Sequence, residues 1–192
     1  MICSSLILSL VTAVFATAAL AQEAVSRDGD IRLTSITPPL CKVAQVDPTA
    51  ATITGSMVDE TGPRIGQLRR DIGQLDVSIN AWCNTSSLMV VEADAMIGPA
   101  LIDQSSTTRF ARAVNFRARS LGWTPEAAAP FAATAADRLG GGQVVVTGDP
   151  VAIEGPRDDA LKLRFDQFTV AESAVLVSGD YAGSVTITLS PR

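Results

Sequence analysis

Apolar and polar residues alternate in short runs along this chain. Leu75, Val77, Ile79 and Ala81 are separated by Asp76, Ser78 and Asn80, so one parity faces a core and the other faces water, as in a half-buried strand. Cys83 continues the inward parity, which puts its sulfur inside. Ser87 to Met96 follows the Asn84-Thr85-Ser86 turn as a candidate hairpin partner. The longest strand candidate is Phe110 to Ser120. There Phe110, Val114, Phe116 and Ala118 share one parity, while Arg109, Asn115, Arg117 and Arg119 share the other. Arg112 breaks the inward set and predicts a bulge or an edge position. Leu161 to Asp166 alternates strongly, but Phe168 and Val170 fall in the opposite phase, which predicts a second bulge. Near the C-terminus Val185, Ile187 and Leu189 alternate with Ser184, Thr186 and Thr188.

Weaker signals lie between these runs. Ile31 to Ile36 alternates briefly, and Pro38-Pro39 forces an extended path into Leu40-Cys41. Thr52 to Val58 favours β structure, and Gly62-Pro63 marks a turn. Val144 to Val146 and Ala174 to Val177 are short apolar runs. Thr124-Pro125-Glu126 resembles a helix start, and the alanine-rich stretch to Leu139 ends at three glycines. Pro130 would cost a continuous helix about 3 kcal/mol, so this stretch is a short helix from Phe131 or an irregular excursion. Many short strands with one helical detour predict an all-β sandwich.

The first residues change the picture from fold to compartment. Leu6 to Leu20 is apolar, and Ala19-Leu20-Ala21 supplies a small–x–small cleavage pattern. Residues 1–21 therefore read as a secretory signal, 22–30 as a polar tail, and 31–192 as one domain with no further membrane segment. The net charge of −5 and scattered arginines argue against a nucleic-acid partner. Cys41 and Cys83 survive cleavage, and in an oxidising compartment two such cysteines pair. Closing that loop constrains the unfolded chain by roughly 4 kcal/mol. The alternatives are two free thiols or a metal pair.

Candidate chemistry is sparse. The chain has no histidine, which removes the commonest general base, the usual zinc ligand and every Ser–His or Cys–His pair. Glu92 and Asp94 share a strand face and could serve a hydrolase, but solvated outer-face residues have the same spacing. Arg109, Arg117 and Arg119 could bind an anionic sugar or a partner carboxylate, or form a solvated face. Trp82 and Trp123 are candidate ligand contacts. No catalytic residue, metal or cofactor is expected.

Three segments carry a resemblance. Cys41-Lys42-Val43, then Ile65-Gly66-Gln67-Leu68, then Leu75 through Trp82-Cys83 resemble the front half of chaperone–usher pilins. Phe116 to Trp123 and the ending Gly179-Asp180-Tyr181 through Val185-Thr186-Ile187-Thr188 resemble the spore coat U-type branch. The resemblance implies an immunoglobulin-like sandwich lacking its last strand, with Cys41 bonded to Cys83. It implies that Val185, Ile187, Leu189 and Tyr181 line a groove filled by a donated strand. The implied partners are a periplasmic chaperone, an outer-membrane usher and neighbouring pilin subunits. The implied role is an exported structural or adhesive subunit of a fimbrium, acting in the periplasm and at the cell surface. The alternative is a self-contained secreted sandwich that binds a surface glycan or a partner protein.

Overall fold

The structure is a computed structural model that describes residues 35–44, 51–100, 109–171 and 174–192. The expected signal, the polar tail and most of the Ile31–Ile36 run lie outside the described residues. Contacts divide the chain into the units Met1–Thr37 and Pro38–Arg192. In the first, Ser35, Ile36 and Thr37 are exposed and belong to no strand.

The second unit is built almost entirely from strands: β1 (Cys41–Val43), β2 (Leu75–Ile79), β3 (Ala81–Cys83), β4 (Ser87–Ile97), β5 (Phe110–Ala111), β6 (Ala113–Leu121), β7 (Phe131–Ala133), β8 (Ala135–Ala136), β9 (Gly142–Gln143), β10 (Val145–Thr147), β11 (Val151–Ile153), β12 (Leu161–Thr169), β13 (Val175–Leu176) and β14 (Ala182–Pro191). Every pairing is antiparallel except the short β13–β5 contact. One leaf runs β2–β12–β6–β7. In the other, β4 carries β14 on one edge and β10 and β11 on the opposite edge. The leaves meet at a corner where Met96 and Ile97 pair with Val114 and Ala113.

Inward parities of both leaves make one core. Val77 and Ile79 from β2, Met89, Val91 and Ala93 from β4, Phe116 and Ala118 from β6, and Leu161 and Leu163 from β12 pack together. The predicted alternation from Leu75 to Cys83 holds across the β2–β3 join, and Cys83 is buried. Cys41 and Cys83 form a disulfide, opposite each other where β1 pairs with β3.

The chain is irregular at both of the places where the alternation fails. The strand breaks at Arg112, between β5 and β6, and β12 slips register against β6 between Asp166 and Thr169. At that slip Gln167 takes a φ of 54°, the one positive value among described non-glycine residues.

Several expectations are corrected. Ser87–Met96 is a strand but not the hairpin partner of Leu75–Ala81: β2 pairs with β12, while β4 crosses to the other leaf. Phe110 is 40% exposed rather than inward, because the break at Arg112 turns Ala111 inside instead. Thr52–Val58 forms no strand beyond an isolated bridge from Val58 to Leu68. The alanine-rich excursion contains no α-helix. It has a single 3-10 turn at Glu126–Ala128, after which Phe131 opens β7 and Pro130 is fully buried. Proline lacks the N–H a helix interior needs, and the small alanines fit a strand against β6.

Candidate functional site

Two of the edge strands line one opening: among the described residues β2 pairs only with β12, and β14 pairs only with β4. Between them lies an open groove of about 1140 Å³, lined in part by Leu75, Val77, Phe116, Phe165, Val185 and Ile187. That exceeds the roughly 300–1,000 Å³ usual for small-molecule pockets. Its walls combine core side chains with the 51–58 segment, which contributes Thr52, Ile53 and Met57.

The contrast between β4 and β14 locates the opening. Met89, Val91, Ala93 and Ala95 on β4 are at most 1% exposed. Val185, Ile187 and Leu189, directly across the ladder, are only half-buried although they point the same way. Among the described residues no strand pairs with β14 on the groove side. An edge strand normally carries lysine, proline or inward charge to discourage pairing. From Ala182 to Ser190, β14 carries no charge and no proline.

The ends of the groove differ. At one end Val43, next to the disulfide, lines the wall with Ile79 and Ile187. At the other end Tyr181 lines it. The Tyr181 hydroxyl donates to the Val177 carbonyl at 2.9 Å, with the Ala111 carbonyl at 3.3 Å as a second acceptor. Burial pushes its phenol above the ordinary tyrosine range. Leu189 packs on the core but does not line the groove.

The remaining predicted residues separate. Trp82 is 40% exposed, opposite Lys42 on the outer face of β3. Trp123 is corrected: it is buried, and its indole N–H donates to the Asp159 carbonyl at 2.9 Å, so it offers no exposed platform. Glu92 accepts from the Thr147 hydroxyl at 3.0 Å on the outer face of β4. Among the described residues no group of three His, Cys, Asp or Glu could hold a metal.

The arginine row is engaged by carboxylates. Arg117 and Arg119 both reach Asp166, at 2.8 and 2.7 Å. Arg119 and Arg164 share Glu126 at 3.4 Å, and Arg164 with Lys162 holds Asp76 at 2.9 and 3.3 Å. The two arginines hold the Asp166 carboxyl below its ordinary range although burial pushes it up. Hydrogen bonding from Arg164, then Lys162, does the same for Asp76. This network ties β2, β12 and β6 together across their outer face. Arg109 stands apart, just before β5.

Sequence reasoning missed Phe165 and Phe168 as groove residues. The phase change at Phe168 was the signal: the bulge turns both rings to the same side. Comparison with protein-family models, with curated proteins and with solved structures gave no match.

Proposed function

We propose that this protein is an exported subunit of the chaperone–usher pilin type, with an incomplete immunoglobulin-like sandwich that works by accepting an extended strand rather than by catalysis. The observation that carries the reading is the groove bounded by β2 and β14, each paired on one edge only among the described residues. A strand laid there would satisfy backbone donors and acceptors along β14 and press alternate apolar side chains onto Val185, Ile187 and Val77. No rigid small molecule supplies both. A periplasmic chaperone, and then a neighbouring subunit, are the donors the reading requires. The usher would be the site of exchange.

The test is thermal unfolding of the oxidised mature chain with a synthetic peptide of alternating Val and Thr. The melting temperature rises with peptide concentration by mass action if the strand is accepted. A scrambled peptide of equal composition, with its apolar residues clustered, leaves it unchanged. A cooperative monomer indifferent to both would defeat the proposal.

The exposure of Trp82 beside Lys42 favours a second reading, a self-contained module that binds a surface glycan. Under it, Trp82→Ala abolishes retention on a glycan array. Under the first reading, strand acceptance is unaffected by that change.

A further inference from the structure

The arginines divide into two sets. Arg117, Arg119 and Arg164 each hold a carboxylate on the outer face. Around the break between β5 and β6 the others do not. Among the described residues Arg109, Arg112 and Arg138 have no carboxylate within ion-pair distance. The main chain gathers these three into one patch. The Arg112 amide donates to the Arg138 carbonyl at 2.9 Å, and the Arg138 Nη1 donates to the Phe110 carbonyl at 3.0 Å. Arg109 is exposed and immediately precedes Phe110. Asp137, next to Arg138, is committed elsewhere: its Oδ1 accepts from the Leu139 and Gly141 amides, each at 2.8 Å.

Arg112 is the unusual member. Its Nε is buried and has no partner. Gly140, at φ 82°, runs beside it: a Cβ there would lie 4.0 Å from that Nε and 3.2 Å from the Ile97 Cδ1. With the Nε closed off, the Nη edge of the guanidinium is the part left for a ligand. A buried N–H that gives up water without gaining an acceptor destabilises the fold. Arg119 and Arg157 share the buried, unpartnered Nε. Arg119 is compensated by Asp166 and Glu126, and Arg157 is followed by Asp158 and Asp159. Arg112 sits between two alanines.

We infer that Arg112 and Arg138 form a binding site for a phosphoryl group, carried on a sugar or present as free phosphate. Charge decides the class. Two guanidinium groups match a phosphate monoester of about −1.5 to −2, whereas a lone carboxylate neutralises only one of them. Arginine's planar fork meets such an oxyanion through parallel N–H···O bonds. Phe110, whose carbonyl Arg138 engages, is 40% exposed and offers apolar surface beside the site. The site does not depend on the groove being filled.

Chemical-shift titration of the isotope-labelled, oxidised mature chain at low ionic strength tests it, with the Gly140, Gly141 and Gly142 amides as reporters. Glucose 6-phosphate and inorganic phosphate both shift these amides to saturation, and glucuronate binds about tenfold more weakly. Tighter binding of the sugar phosphate assigns the site to phosphorylated sugars; equal affinity assigns it to the phosphoryl group alone. Arg112→Met and Arg138→Gln each weaken phosphate binding by about tenfold, the worth of a charge-assisted hydrogen bond. Arg112→Met also removes the unpaired Nε, so without phosphate it melts no lower than the wild type. Arg138 is partly exposed, so Arg138→Gln keeps the fold. Glycine amides that ignore phosphate, or binding that survives both variants, overturn the site. Equal binding of glucuronate overturns the phosphoryl class. An Arg112→Met chain that melts lower without phosphate shows that this arginine serves the fold, and the proposal falls.

Discussion

Tyr181 occupies the space that a side chain at Gly98 would need: a Cβ there would lie 2.6 Å from the ring's Cζ. Gly98 follows β4 and its amide donates to the Arg112 carbonyl at 2.7 Å, so its backbone has little room to retreat. The Tyr181 ring is thus packed flat on bare backbone at one end of the groove. Gly98→Ala should push the ring away and break the Tyr181–Val177 hydrogen bond. The expected loss is about 1–3 kcal/mol, read by urea titration, and the Tyr181→Phe variant should lose less than Gly98→Ala. Equal losses would show that the hydroxyl, not the packing, matters.

The groove and the closed core should respond differently to truncation. Met89→Ala removes a fully buried side chain and should cost about 2–5 kcal/mol. Ile187→Thr changes a half-buried wall residue and should cost about 1 kcal/mol or less in the free chain. With the alternating peptide present, the order of effects on affinity reverses: Ile187→Thr weakens binding, and Met89→Ala does not beyond its effect on folding.

Acid should loosen the leaf that contains β12. Asp166 and Asp76 both have carboxyls held below their ordinary range by arginine partners. A depressed folded value gives stability that is fully present above the unfolded pKa of about 3.9 and is lost as pH falls through the folded value. Stability should therefore be flat from neutral pH to about 5 and decline below about 4. Asp166→Asn removes part of that decline and costs about 1–2 kcal/mol at neutral pH, a modest figure because the pairs are partly solvated. Denaturant titrations at several pH values read both effects.

How much was legible depends on distance along the chain. Local alternation is written in neighbouring residues, so the inward parity from Leu75 to Cys83 and the phase slip after Asp166 could be read directly. Partner choice could not. Ser87 follows Cys83 closely, yet the intervening turn moves the chain from one leaf to the other instead of folding it back. The carboxylates that engage Arg117, Arg119 and Arg164 come from three separate elements at Asp76, Glu126 and Asp166, and no spacing rule links them. Trp123 looks like any tryptophan until Asp159 is seen to accept its N–H. The groove is a property of the assembled edges, so alternation alone reads Val185 and Ile187 as strand residues, and only the resemblance set them along a groove.

The Cys41–Cys83 bond also decides how the domain would behave under tension. A pull transmitted from the N-terminal side enters at Cys41 and passes through the bond to Cys83, across a sequence separation of 42 residues. The intervening chain, β2 included, stays slack while β4 and everything after it takes the strain. In single-molecule stretching the oxidised domain should lengthen by on the order of 150 Å less than the reduced one, at up to about 3.6 Å per shielded residue. The segment that forms one rim of the groove would then be the part of the domain that force cannot reach.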